Sequence, residues 1–492
     1  LIFLRAQRAR PASCVHNFSF QLQQGAGIPC FFKVYSICPH RLNMRHLIVS
    51  LLLLTHFPAW GIGFANGVKI GEVTNSSAVI WVRLTAHSEA SNKVAKWNDE
   101  QPWQWNVPGA RGAVGLVGPY VEGPNKGEPH EWITVDSETD YCHQFQVQNL
   151  KPSTSYVFEV KGRGENGKLT TLKGAFRTAP SPDSNASVTF VTSTCQDFPR
   201  RDNPQNGHNI YKSMLTLDPM FFVQTGDTIY YDKPNPYAKD MATARYKWNR
   251  FYALPYQREF HRTVPSYWLH DDHDVLKNDC WPGQTYGNLT WEQGLKIWRE
   301  QIPQSSKPYR TFRWGKHLQV WFPEGREYRS PNTMKDGPDK TILGKEQWKW
   351  LETTMKESDA TFKLFISATP VVGPDRQNKS DNHANKGYRT EGQRLRKFLS
   401  SISGCIVLNG DRHWQYHSID PETGLNEFGS GAASDQHAGG WSQEHKVDWQ
   451  KFVRVKGGFL SVTVNKSEAT FRHHDVHGVE KNVVVIPAPN AR

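Results

Sequence analysis

Cysteine is scarce in this sequence, with seven in 492 residues. That is far below the density of disulfide-stapled scaffolds, so the fold must rest on its own apolar cores. Long apolar runs are scarce too. The run 47–57, LIVSLLLLTHF, falls short of the roughly 20 residues a membrane-spanning helix needs. Acidic residues are missing from residues 1–65, which hold six Lys/Arg. The remainder carries 53 basic against 47 acidic residues. So small an excess is a weak footing for nucleic acid and is compatible with drawing in small anions. With 37% hydrophobic and 22% charged residues, the chain is neither disordered, collagenous nor a multi-span membrane protein. Its length predicts two to four domains at roughly 100–200 residues each.

The first 65 residues read as address rather than fold. Met44, Arg45 and His46 precede the apolar run, and Pro58 and a small-residue stretch ending Gly63-Phe64-Ala65 follow it. A basic start, a short apolar core and a small-x-small end form a secretory signal peptide. The expected leader is 44–65, with cleavage after Ala65, and residues 1–43 are expected to be untranslated upstream sequence. The mature chain would then be secreted or periplasmic. It would keep Cys142, Cys195, Cys280 and Cys405, whose pairing the sequence does not assign.

Residues 66–180 read as strand and turn. Ala78–Leu84 is an apolar β segment after a polar turn, and Trp81 is expected as an anchor between two sheets. Leu150-Lys151-Pro152-Ser153-Thr154-Ser155-Tyr156 resembles the element of fibronectin type III domains in which a Tyr hydroxyl caps a sandwich corner. Residues 97–130, rich in Trp, Pro and Gly, are expected to form a long loop. The prediction is a small β-sandwich that shapes or packs against a larger domain at 186–492.

In that second part, four segments share one grammar: an apolar strand ends and metal-binding residue types follow at once. Val188–Val191 leads to Cys195. Met220–Thr225 leads to Gly226-Asp227-Thr228-Ile229-Tyr230. Ser266–Leu269 leads to His270-Asp271-Asp272-His273-Asp274, and Cys405–Asn409 leads to Gly410-Asp411-Arg412-His413. In α/β sheets, ligands bind beyond the carboxyl ends of strands. Four such ends at one edge would assemble a metal site. Three carboxylates within five residues repel one another unless a cation or solvent compensates. Asn278 and Asp279 follow at short range as further oxygen donors.

Taken in order, these motifs resemble the signature of PhoD-like alkaline phosphatases, members of the calcineurin-like metallophosphatase superfamily with a fibronectin-like N-terminal domain. Glu324-Gly325-Arg326-Glu327-Tyr328-Arg329-Ser330 and Leu343-Gly344 through Trp350-Leu351 extend the likeness over nearly all of 66–492. The resemblance implies an α/β fold, a metallophosphatase sandwich of mixed sheets preceded by a small all-β sandwich. It implies Fe³⁺ and Ca²⁺ as cofactors. Cys195 matches the first metal-binding position, Asp227 the bridging carboxylate, Tyr230 a tyrosinate ligand of iron, and His413 a metal-binding histidine beside Asp411. Asp272 stands where relatives have Asn, next to Asp271, and His273 matches the catalytic histidine. Thiolate and phenolate suit ferric iron, while hard oxygen donors suit calcium.

The superfamily also carries a metal-binding His between the third and fourth motifs. Ser367-Ala368-Thr369-Pro370 offers none, which leaves His383 as a substitute or an oxygen-rich calcium site as the explanation. Arg326 and Arg412 are candidates for phosphate contact, with structural ion pairs as the other reading. The implied activity is hydrolysis of phosphate mono- or diesters by a metal-activated hydroxide, with His273 assisting the leaving group. No specific nucleic-acid partner and no stable membrane span are expected. The alternative is a secreted binding or adhesion module on an inactive scaffold of the same fold.

Overall fold

The structure is a computed structural model that describes residues 61–90, 107–121, 127–304 and 307–489. Most of the expected leader therefore lies outside the described residues. Its expected end does not. Phe64 and Ala65 are buried, and Phe64 packs with Val68, Leu84 and Val160. A chain starting at Asn66 would lack the Phe64 side chain from this core.

Two mixed sheets form the body. The first has nine strands, in the order Glu480–Pro487, Glu468–Asp475, Gly458–Val464, Val188–Ser193, Phe221–Thr225, Ser266–Leu269, Val68–Gly71, Ala78–Arg83 and Cys142–Val147. The second has seven: Arg310–Trp314, Leu318–Phe322, Phe362–Ser367, Cys405–Asn409, Asn426–Ser430, Gln415–Ile419 and Gln450–Arg454. They face each other across a core that includes Phe190, Phe221, Val223, Leu269, Val320, Leu364, Ile366, Leu408, Phe428 and Val462. Alternate residues on the same strands face outward to helices. Phe222 packs on Tyr211 and Phe260, and Phe365 joins Trp348, Leu351 and Leu395 of the helices Gly344–Glu357 and Arg389–Ser401. Burial on both faces is why these strands read as unbroken apolar runs. Among the described residues, no helix is long and apolar enough to cross a membrane, and the four cysteines are unpaired.

The residues expected to form a separate N-terminal sandwich lie in two packed sheets, one of which is shared with the larger part. Gly71 pairs in parallel with Ser266, so hydrogen bonding does not break between the two. Against this end of the nine-stranded sheet lies a four-stranded one, ordered Ile133–Val135, Gly112–Tyr120, Ser155–Gly164, Leu169–Arg177. Ile70, Ile80 and Val82 meet Val114, Phe158 and Phe176 between them. Tyr156 Oη accepts from the Lys151 backbone N–H at 2.8 Å, the corner bond the sequence motif implies.

Two expectations fail here. Gly112–Tyr120 is a nine-residue strand, not loop. Its glycines hide the pattern, and Gly115 is required because a Cβ there would come within 2.4 Å of Pro129. Trp81 is buried, but on the opposite face from the sandwich core. Its indole donates to Glu300 O at 2.7 Å, and the Lys69 ammonium lies 3.5 Å above its ring.

The parallel strands Val188–Ser193, Phe221–Thr225 and Ser266–Leu269 of one sheet, and Phe362–Ser367, Cys405–Asn409 and Asn426–Ser430 of the other, deliver their carboxyl ends to one edge. A parallel bridge between Thr194 and Ala432 joins the sheets there.

Candidate metal centre

Three residues just past strand ends adopt left-handed backbone: Cys195 at φ 53°, Asp227 at 55° and Asp411 at 61°. For side chains other than Gly this conformation is unfavourable and concentrates at functional sites. Interlocked loops hold it. Cys195 N–H donates to Gly226 O at 3.2 Å, Gln196 N–H to Asp227 O at 2.8 Å, and Asp411 N–H to Thr194 Oγ1 at 3.2 Å.

Asp274 is the staple of the centre. Its buried carboxylate accepts from the backbone N–H groups of Asp227 at 2.7 Å, Ile229 at 2.8 Å and Asp271 at 3.0 Å. One side chain thereby fixes two loops that carry ligand candidates. The third acid of the run 271–274 thus positions the loops, while Asp271 and Asp272 contribute to the site.

Donor atoms converge on Asp227. Its Oδ2 lies 3.4 Å from Cys195 Sγ and accepts from Tyr230 Oη at 3.0 Å. Three sets have ligand atoms mutually within 4.8 Å: Cys195, Asp227 and His413; Asp227, Asp272 and His273; and Asp227, Asp271 and Asp411. Asp227 belongs to all three, as a carboxylate shared between two cations must. The residues fit metal ions on a second count. Asp227 Oδ1 and Asp271 Oδ2 are buried without any hydrogen-bond partner. A carboxylate oxygen left so is costly unless a cation meets it.

The charges are under strain. Burial, and then neighbouring carboxylates, push Asp227 well above the ordinary aspartate range. Burial likewise lifts Asp271 to about 8 and Asp411 to about 6, against the pull of Arg326 and Arg412 respectively. Burial would raise Asp272 as well, but Arg326 and His273 hold it low. Burial, then Asp227, raises both the Cys195 thiol and the Tyr230 phenol. His413 is kept neutral by burial, then by His437. A site of this kind gains by exchanging protons for metal charge.

Not every expected residue joins it. Asn278 is exposed, and its backbone N–H donates to Asp232 Oδ2 at 2.9 Å. His383 is bonded to Glu391 at 3.1 Å instead. Arg326 and Arg412 are fully buried. Arg326 pairs with Asp271, Asp272 and Asp381, and Arg412 with Asp375 at 2.8 Å and Asp411 at 2.6 Å. In this arrangement both guanidinium groups are engaged by acidic residues. Two residues escaped the sequence reading. Asp232 Oδ1 lies 2.6 Å from His273 Nδ1. His437 bonds Cys195 O at 3.0 Å, and its ring lies 4.1 Å from that of His413, tilted by 49°. Asp232 stands only two residues past Tyr230. His437 follows a Gly- and Ser-rich turn with no local signal.

Residues 190–472 match the family described as PhoD-like phosphatase. The chain belongs to the PhoD-like phosphatase family. Alkaline phosphatase D of Bacillus subtilis (strain 168) is 24% identical over 420 residues, spanning 72% of this chain and 65% of that protein. The chain thus covers just under two thirds of that relative's length. The solved structure of PhoD superposes with a TM-score of 0.69 at 18% identity, over 88% of this chain and 90% of that one. A purple acid phosphatase from yellow lupin (Lupinus luteus) seeds gives 0.57 at 14% identity, over 85% and 74%. At such identities the two structures establish the fold, the expected metallophosphatase sandwich. PhoD-like family membership and the clustered ligands together support metal cofactors.

Proposed function

We propose that the chain is a metal-dependent phosphoric-ester hydrolase, a phosphatase or phosphodiesterase, acting outside the cytoplasm. The observation that carries the reading is Asp227, a buried carboxylate shared by three ligand sets with one oxygen unpaired. Cys195, Asp227, Tyr230 and His413 would hold Fe³⁺, and Asp227, Asp271, Asp272 and Asp411 would hold Ca²⁺. Cys195 and Tyr230 both meet Oδ2 of Asp227, and His413 shares a ligand set with Cys195, whereas Asp271 and Asp411 form an all-oxygen set with Asp227, which supports that division. Bound cations supply charge neutralisation of the ester oxygens and acidify water to a nucleophile at neutral pH.

The chain's own residues do the rest. His273 is the proton donor. Burial works against its charge, while Asp272, Asp227 and Asp232 favour it. Asp232 engages Nδ1, which leaves Nε2 as the nitrogen that protonates or stabilises the departing alkoxide. Asp274 and the buried Lys247, whose ammonium donates to the carbonyls of Tyr230 and Lys233, keep the donor loops in register. Export is supported by the leader-like segment that begins at Met44.

The test is elemental analysis of the purified chain together with a panel of phosphate mono- and diesters. Iron and calcium in stoichiometric amounts, with turnover lost on chelation and restored by calcium, are expected. Turnover that persists after prolonged chelation would refute the metal role.

A further inference from the structure

Outside the centre around Asp227, one other cluster brings a histidine and two carboxylates together. His270 Nε2 lies 3.1 Å from Glu324 Oε1 and 3.5 Å from Glu327 Oε1, and the three ligand atoms fall within 4.8 Å of one another. His270 side-chain exposure is 5% and Glu324's is 3%, while Glu327, at 15%, gives an entry path. The ring is held edge-on to Trp298 at 5.2 Å.

The contacts are at ion-pair distance, although neither ring nitrogen has the geometry of a full hydrogen bond. Against burial, the two glutamates favour the charged imidazole. The same spacing suits a shared central atom. Donors bound at about 2.1 Å with angles near 90–110° stand roughly 3.0–3.4 Å apart. The carboxylates are themselves held in place. Glu324 accepts from Arg326 N–H at 2.8 Å and from Glu327 N–H, and Glu327 Oε2 pairs with Arg299 at 3.0 Å.

We propose that His270, Glu324 and Glu327 form a further cation site, for a first-row divalent ion such as Zn²⁺ or Mn²⁺. A neutral imidazole and two carboxylates balance such an ion's charge, and the nitrogen donor disfavours calcium. The site clips the end of strand Ser266–Leu269 in one sheet to the loop after Leu318–Phe322 in the other. Asp271 follows His270, and its partner Arg326 lies between the two glutamates, so the clip sets the position of both. The site does not depend on the Asp227 centre for its ligands.

The test is the zinc content of the full chain after dialysis against micromolar Zn²⁺, for wild type, His270→Gln, Glu327→Gln and Asp227→Asn. His270→Gln and Glu327→Gln should each bind one equivalent fewer than wild type, and Asp227→Asn should retain that equivalent. Zinc content equal to wild type in both cluster variants would overturn the proposal. Should the variants misfold, anomalous diffraction at the zinc edge from wild-type crystals decides it. A peak between His270, Glu324 and Glu327 upholds the site, and its absence overturns it. That peak without one at Asp227 would uphold this site while counting against the proposed function.

Discussion

The Tyr230 hydroxyl and the Asp227 carboxylate meet at 3.0 Å, three residues apart in one loop. The Tyr230 ring packs on His273 at 4.4 Å and on His437 at 5.2 Å, so Tyr230→Phe preserves packing and removes only the donor oxygen. If the phenol serves ferric iron, the variant should fold normally, lose or shift a visible charge-transfer band, and turn over about 10–100-fold more slowly. Absorption spectra beside iron analysis check this. An unchanged spectrum in iron-replete protein would remove Tyr230 from the ligand set.

Asp227→Asn removes the negative charge common to three ligand sets. The amide presents one neutral oxygen where the carboxylate presents two. Activity should fall by at least on the order of 10²-fold, with metal content reduced in parallel. The Asp274 bonds to the backbone N–H groups of Asp227 and Ile229 do not involve the altered side chain, so circular dichroism should match wild type.

Asp232 acts through His273 and lies in none of the ligand sets. Asp232→Asn should therefore leave metal content unchanged while lowering kcat by about 10²-fold or more, in the range general acids contribute. The loss should shrink with esters of acidic phenols, whose leaving groups need no proton. An equal loss on every ester would assign Asp232 a purely structural part.

How much of this was legible beforehand follows from what sequence distance can carry. Asp227, Tyr230, Asp271 to His273 and His413 follow directly on apolar strands, so local pattern placed them at one sheet edge. Asp274 looked equivalent to its acidic neighbours, and only its three backbone contacts separate it from them. For Arg326 and Arg412 the motif leaves phosphate contact and structural ion pairs both open, because burial and carboxylate partners are invisible in it. Gly112–Tyr120 escaped because its glycines break the period-two pattern that its packing obeys. Trp81 was seen as buried, but a strand covered on both faces gives no sign of which side a residue takes. His437 lies over 20 residues past its nearest partner in sequence, His413, and only tertiary contact reveals it.

His383 serves stability instead of the metal, and this gives a pH prediction. Its partner Glu391 also accepts from Trp348 Nε1 at 2.6 Å, Thr341 Oγ1 and Ile342 N–H. Burial would raise the Glu391 carboxyl, but His383 and these donors bring it down to about 2, from an ordinary 4.5. A depressed folded pKa contributes stability that is fully present above the ordinary value and lost as pH falls toward the folded one. That contribution is on the order of 3 kcal/mol at neutral pH. Glu391→Gln keeps the shape and some of the bonds, so it should cost about 1–3 kcal/mol at pH 7. The gap from wild type should close as pH falls from about 4.5 to about 2. Urea unfolding midpoints at pH 7, 5 and 3 measure it. A gap as wide at pH 3 as at pH 7 would mean that Glu391 stabilises the fold by packing alone, not through its charge.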